Sequence, residues 1–313
     1  MKKRESSSRF LFIFSMLIFS TVGIFRRFIP LPSGFISMVR GLLGALTLFL
    51  VLICSKKRID AASLVKKLPI LIITGALIGG NWILLFESYN YTSVAVAALC
   101  YYMAPSFVML ASPFLFGERL GISGVVTLVL SLGGMVLVSG AVESGFTLSG
   151  DALLGVLLAL GAAVLYASVI LCNKKIDGID SGTLTVVELL SAGIVILPYM
   201  LLCEQIPIAG FTPLSVILLL VLGVVHTGLA YAMYFGSLSG LSARTVAVLG
   251  YIDPIVAVLL SALLLKEPIT PLTIVGAVMI LGATLYAELK KQKCRPRGEA
   301  HEDEPADQDP SDS

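Results

Sequence analysis

The chain has 313 residues, 57% of them apolar and only 13% charged, with a mean hydropathy of +0.96 and a formal net charge of +2. A charged fraction about half that of a soluble domain excludes an ordinary soluble protein and points to a chain that crosses a bilayer repeatedly. The small basic excess is no nucleic-acid signal, because lysines and arginines sit at segment ends, and the five cysteines, odd in number and without C-x-x-C spacing, give neither a disulfide framework nor a metal site.

Apolar runs able to cross a hydrocarbon core of ~30 Å, roughly 17–25 residues each, follow one another along the chain. The first, Phe10–Phe25, is short; the basic stretch before it lacks a small-residue cleavage site, which predicts a retained helix. Gly34–Ile53 carries Arg40 about two turns from its start. Leu68–Glu87 carries Asn81 and the single tryptophan, Trp82, near mid-depth, after a G-x-x-x-G step at Gly75 and Gly79 that permits close helix approach. Ser93–Phe116 and Leu120–Val142 complete a first set of five. Asp151–Cys172, Leu184–Leu202, Pro213–Phe235, Ala243–Leu265 and Leu272–Leu289 form a second set. Helices are expected, because unpaired backbone groups are too costly in lipid and the runs do not alternate as barrel strands would. The tail from Lys290 turns from basic to acidic; it is expected to be disordered, its basic part lying against anionic lipid.

Lysine and arginine set the orientation. The N-terminal Lys2, Lys3, Arg4 and Arg9, the cluster from Lys56 to Lys67, Arg119, Lys174, Lys175, Arg244 and the group from Lys290 to Arg297 all fall on one side of the ten crossings. Arg26, Arg27 and Lys266 fall on the other. Both termini are therefore expected in the cytoplasm.

The chain also resembles itself. At one constant offset Ser93 falls on Ser242, Ala98 on Ala247, Tyr102 on Tyr251, Pro105 on Pro254, Ser112 on Ser261, Glu118 on Glu267 and Gly133 on Gly282. At an offset one residue shorter, Arg26-Arg27 falls on Lys174-Lys175, Ser33-Gly34 on Ser181-Gly182, and Arg40 on Glu188. Five helices per copy means the second copy enters the membrane from the opposite side, the inverted-repeat plan of many secondary transporters. The fold class is therefore an all-α membrane protein of ten transmembrane helices, with repeats over 1–148 and 149–289 and a tail over 290–313.

The paired blocks YYMAPSFVMLASPFLFGERL and YIDPIVAVLLSALLLKEPIT, with SMVRGLLGAL around Arg40, resemble the two EamA repeats of the drug/metabolite transporter superfamily over Phe10 to Leu289. The resemblance implies the ten-helix inverted-repeat fold, a bacterial plasma-membrane location and movement of small metabolites. Family members often carry Trp-Gly in the first helix; this chain reads FSTVGIF there, so no role for a first-helix aromatic is carried over.

An ionisable group near the bilayer centre costs on the order of 2.5–3.5 kcal/mol on insertion scales, and survivors generally face a cavity or a partner. Asp253, about ten residues into its helix and followed by Pro254, is the sharpest case. Pro254 frees the Gly250 carbonyl, and Pro105 frees that of Tyr101, so two kinked helices should meet at mid-depth around Tyr101, Tyr102, Tyr251 and Asp253. The alternative is a structural Asp253 paired with a hydroxyl or with His226. Arg40 either captures a substrate carboxylate or phosphate or braces Glu87 at similar depth. His226 titrates near neutrality when exposed but also fits a packing role, as does Glu188. Trp82 and Asn81 either pack or line the cavity, where Trp82 would stack on a flat or cationic ligand. Glu118 and Glu267 read as end-capping or loop contacts.

The leading expectation is a secondary transporter, an exporter of a small organic metabolite such as an amino acid, working by alternating access around a midplane cavity, with protons as a candidate coupling ion. No nucleotide-binding G-x-x-x-x-G-K-[ST] occurs, and no cofactor is implied. The rival is an intramembrane enzyme using His226 or Asp253, without a supporting motif. Substrate, direction and oligomeric state stay open.

Overall fold

Four of the helical spans among the described residues are interrupted, and the interruptions decide where polar chemistry collects. The computed structural model describes residues 2–55, 61–117, 120–145 and 149–293. Span α1 comprises α1a (Lys2–Ser20) and α1b (Val22–Arg27). It is followed by α2 (Ser33–Cys54), α3 (Ala61–Tyr91), α4a (Val94–Tyr101), α4b (Ala104–Phe116) and α5 (Ile122–Val138). The second set is α6 (Gly150–Asn173), α7 (Ser181–Cys203), α8a (Pro213–Gly223), a π-helical turn (Val224–Leu229), α8b (Ala230–Leu238), α9a (Ala243–Gly250), α9b (Ile252–Leu264) and α10 (Pro271–Lys293). Among the described residues nine spans are long and apolar enough to cross a membrane, and α5 is a shorter apolar helix. Predicted boundaries move outwards in α1 and α3, where amphipathic flanks extend the helix beyond the apolar run. The acidic tail, Glu118 and the Lys56–Arg58 cluster lie outside the described residues.

The inverted repeat is visible in how the spans pair. α2 packs on its repeat mate α7, α5 on α10, and α4a on α9b. The crossing of α3 on α6 is matched by that of α8b on α1a, and α3 on α7 by α8 on α2. The halves are thus interleaved about a pseudo-two-fold axis, not set side by side as lobes. Local chemistry repeats as well. The Ser93 hydroxyl caps α4a by accepting the Val96 N–H at 3.1 Å, and Ser242 caps α9a by accepting that of Thr245 at 3.2 Å. α4 then breaks at Tyr102–Met103 and α9 at Tyr251, each directly after the residue whose carbonyl its proline cannot serve, Tyr101 and Gly250.

Small residues set the interhelical distances, as expected where lipid offers no hydrophobic drive to association. At the α5–α10 crossing a Cβ on Gly276 would stand 2.5 Å from the Gly134 carbonyl oxygen, and one on Gly134 2.7 Å from that of Gly276. Backbone cannot yield as a flexible side chain would. Gly276→Leu should therefore lower the thermal melting temperature of the detergent-purified protein, at an overpacking cost of about 1–3 kcal/mol. Gly282→Ala, whose Cβ meets nothing within 4 Å, should not; equal melting of both variants would contradict this crossing.

Candidate functional site

The two helix breaks lie together at the centre, and the Tyr102 hydroxyl donates a hydrogen bond to the Asp253 carboxylate across them. The backbone there has lost its helical pairing, and a carboxylate and a phenol supply the polarity that lipid cannot. Tyr101 stands edge-on to Tyr102, with ring centroids 6.2 Å apart, and lies 5.5 Å from the Tyr166 ring on α6. The Tyr101 hydroxyl reaches Asn81 Oδ1 at 3.5 Å, and Asn81 Nδ2 donates to the Ala162 carbonyl at 2.6 Å, which ties α3 to α6. Tyr166 is 39% exposed, yet Tyr231, Tyr234, Asp253 and Glu188, on three other helices, lie within its electrostatic reach.

Beside the tyrosines sits a cation on an aromatic floor. The Arg40 guanidinium lies 4.3 Å from the Trp82 ring centroid and 5.5 Å from that of Phe86, within cation–π range. Its Nε donates to Thr227 Oγ1 at 2.7 Å. Thr227 is delivered by the π-helical turn of α8, a local widening often found at functional positions. The expected Arg40–Glu87 brace is not what forms. Glu87 instead accepts the Ser33 hydroxyl at 2.7 Å, while Ser33 accepts from Arg26 at 3.1 Å. The stacked ring and the threonine leave Arg40 inward-facing, whereas Ser33 intercepts Glu87 at the helix end.

His226 joins the same π turn but looks away from Asp253. Its Nδ1 donates to the Val221 carbonyl at 3.2 Å, its Nε2 is hydrogen-bonded to the Thr21 hydroxyl at 2.8 Å, and its ring lies 4.6 Å from that of Phe25. It ties α8 to α1 and is not the partner of Asp253. Tyr251, expected at the cavity, turns its hydroxyl to Thr284 on α10 at 2.9 Å, because it ends α9a one residue before the new helix begins.

The two ends of the site differ. On the face opposite the chain ends, α4a and α9b are in contact, and the Glu267 carboxylate accepts the Val94 and Ala95 N–H groups at 3.1 and 3.4 Å and the Ser261 hydroxyl. Glu204 likewise accepts the Gly34 and Phe35 N–H groups at 2.7 and 2.9 Å. That cap replaces one that α2 lacks, since Pro32 at its N-cap offers no side-chain oxygen. Glu267 is thus the end-capping group expected from sequence; Glu118 lies outside the described residues. A cleft of about 660 Å³ on this face is lined by Arg26, Arg27, Ser33, Glu87, Tyr199 and Glu204. On the other face α4b packs on α5 and α6, and α9a on α10 and α1a, so the inner halves part where the outer halves close. A second cavity, of about 330 Å³, opens there beside Pro105, Ser112, Thr284 and Glu288.

Sequence reading placed Asp253, Tyr101, Tyr102, Arg40, Trp82 and Asn81 in this region, and the structure brings them together. It missed Tyr166, Thr227, Tyr231 and Tyr234. The YAMYF run contained the signal for two of them, since residues three apart share a helix face; nothing in the sequence marks the π turn that positions Thr227.

Residues 7–140 and 153–287 each match the EamA-like transporter family. The chain is 28% identical to a Bacillus subtilis protein named "Uncharacterized transporter YxxF", covering 93% of this chain and 92% of that one. It is 25% identical to an Ancylobacter novellus protein named "Aromatic amino acid exporter YddG", over 66% and 71% of the two chains. A solved crystal structure superposes with a TM-score of 0.66 at 19% identity, covering 93% of this chain and 99% of its own, which is likeness of fold.

Because Trp82 is the single tryptophan, intrinsic fluorescence reports this site directly. Arg40→Gln should alter the emission maximum or intensity, whereas Arg9→Gln, on an exposed pair with Glu5, should not. Identical spectra for all three proteins would mean that Arg40 does not rest on Trp82.

Proposed function

The chain belongs to the EamA-like transporter family, and from that premise we propose that it exports a small organic metabolite, an amino acid foremost, by alternating access around the tyrosine-lined site. The carrying observation is the Tyr102–Asp253 hydrogen bond at the paired helix breaks. That contact joins an acidic side chain to both helix breaks, which supports a role for it in alternating access. Membership in a transporter family also sets aside the intramembrane enzyme.

The substrate reading has two supports. Arg40 offers a fork suited to a carboxylate, and the rings of Trp82, Tyr101, Tyr102 and Tyr166 suit a flat side chain or an ammonium group. The A. novellus relative bears an amino-acid exporter's name, which agrees with that chemistry. Asp253 is the group proposed to exchange a proton during the cycle. The lysine and arginine distribution supports a plasma-membrane protein with both termini in the cytoplasm. In that orientation the clasped outer face and parted inner halves describe a conformation open to the cytoplasm.

Counterflow in proteoliposomes against a panel of labelled amino acids, with and without a pH gradient, tests the reading. Asp253→Asn should abolish exchange or its response to the gradient while leaving the size-exclusion profile unchanged; full, gradient-sensitive exchange would end the assignment of Asp253. The outer clasp makes a second prediction. With the other cysteines replaced by serine, buried Cys100 on α4a should react severalfold faster with an impermeant maleimide from the outer side in Glu267→Gln. Unchanged labelling would show that Glu267 does not hold that side shut.

A further inference from the structure

The outer cleft holds charges that the tyrosine-lined site does not use. Its walls are the end of α1b, the connection into α2, the end of α3 and the connection after α7, which bring Arg26, Arg27, Ser33, Glu87, Asn90 and Glu204 together. Its volume of about 660 Å³ falls within the roughly 300–1,000 Å³ of small-molecule sites.

Arg26 lines this cleft and is only 5% exposed. Two of its nitrogens donate, to the Ile29 carbonyl at 3.0 Å and to the Ser33 hydroxyl at 3.1 Å, while its buried Nε has no acceptor. A buried cation is ordinarily paired with an anion. Glu87 and Glu204 lie within electrostatic reach of Arg26, yet neither acid forms an ion pair with Arg26 or Arg27. At Glu87 the cause is Ser33, whose hydroxyl accepts from Arg26 and donates to Glu87 at 2.7 Å, so that one oxygen spaces the two charges. Glu204 is turned to the Gly34 and Phe35 N–H groups instead. Arg27 is exposed and donates to the Tyr89 carbonyl, with N–H groups to spare.

Cations and acids thus share one cleft without neutralising each other. A simple anion there would meet two carboxylates, and a simple cation would meet two guanidinium groups. A ligand carrying both charges a few atoms apart suits both walls. The cleft also lies outward of Arg40 on the same two helices. Ser33 and Arg40 are seven residues apart on α2, a rise of roughly 10 Å, and Glu87 follows Trp82 by just over one turn on α3.

We propose that the outer cleft is a second binding site, for a zwitterion of the α-amino acid class. Arg26 and Arg27 take the carboxylate; Glu87 and the Asn90 carboxamide take the ammonium group. The inference rests on the transporter reading and adds to it a station on the outer face, where a substrate that has left Arg40 is held before release.

Cys203, exposed and next in sequence to Glu204, supplies the reporter. With the other cysteines changed to serine, an environment-sensitive fluorophore on Cys203 is followed in full-length protein in lipid nanodiscs. Single amino acids are titrated in, then the amide and the N-acetyl derivative of each that responds. An amino acid should give a saturable change, and its derivatives, which keep one charge each, should bind at least tenfold more weakly. Arg27→Gln and Glu87→Gln should each weaken the response tenfold or more, whereas Arg40→Gln should leave it within twofold. The proposal is overturned if no amino acid gives a saturable change, or if the derivatives match their parent. It is equally overturned if both cleft variants respond as the unaltered cleft does, or if Arg40→Gln abolishes the signal, the mark of a change relayed from the central site. The derivative series uses the unaltered cleft, so it decides the matter even where a variant fails to fold. Counterflow by the same labelled protein separates the two readings. Exchange without any Cys203 response removes the outer site alone, and a charge-selective response without exchange removes the transporter reading alone.

Discussion

The hydrogen bond between Tyr102 and Asp253 joins two equivalent places, one in each repeat, where the fold gives up helical backbone pairing in the interior. Backbone groups without partners are tolerated at membrane depth only where protein or water serves them. The breaks at Tyr102–Met103 and Tyr251 therefore need polar company, and the phenol, the carboxylate and the surrounding tyrosines provide it. Prolines at 105 and 254 ensure that the breaks occur at equivalent points in both repeats. The interleaved pairing of spans follows, since only a two-fold arrangement of such helices brings both breaks to one depth.

Around that joint, each remaining polar group is drawn to a distinct neighbour. Arg40 is held by an aromatic face and a threonine, His226 by a carbonyl and a hydroxyl, Glu87 by a serine. Glu188 alone among these retains an oxygen without a donor. The tyrosine-lined space is thus the part of the interior suited to an organic ligand.

The architecture was legible from sequence because bilayer thickness and proline chemistry act locally: run lengths mark the spans, and the matched pairs from Ser93/Ser242 to Glu118/Glu267 mark the repeat. Depth counting likewise found Asp253, Arg40 and Asn81. What it could not find depends on rotation about a helix axis. Arg40 was as well placed for Glu87 as for Thr227 by depth alone; the π turn rotates Thr227 towards it. Tyr251 matches Tyr102 in register but faces α10, because Thr284 offers its hydroxyl a closer acceptor. Glu204 sits in a polar connection with no motif, and its role emerges only when the start of α2 is seen to have no cap of its own.

Two of the outer carboxylates, Glu204 and Glu267, belong to the second repeat, and what they grip in the first is main chain: the amides at 34, 35, 94 and 95. Every amino acid but proline brings such an amide, so inheritance can rewrite those four positions widely without erasing the donor. Gly34 is the exception, since any Cβ there would come within 2.8 Å of the Glu204 oxygens. The clasp itself therefore depends on two acids and not on the side chains of the residues they grip, and what constrains Val94 and Ala95 is their burial in the core.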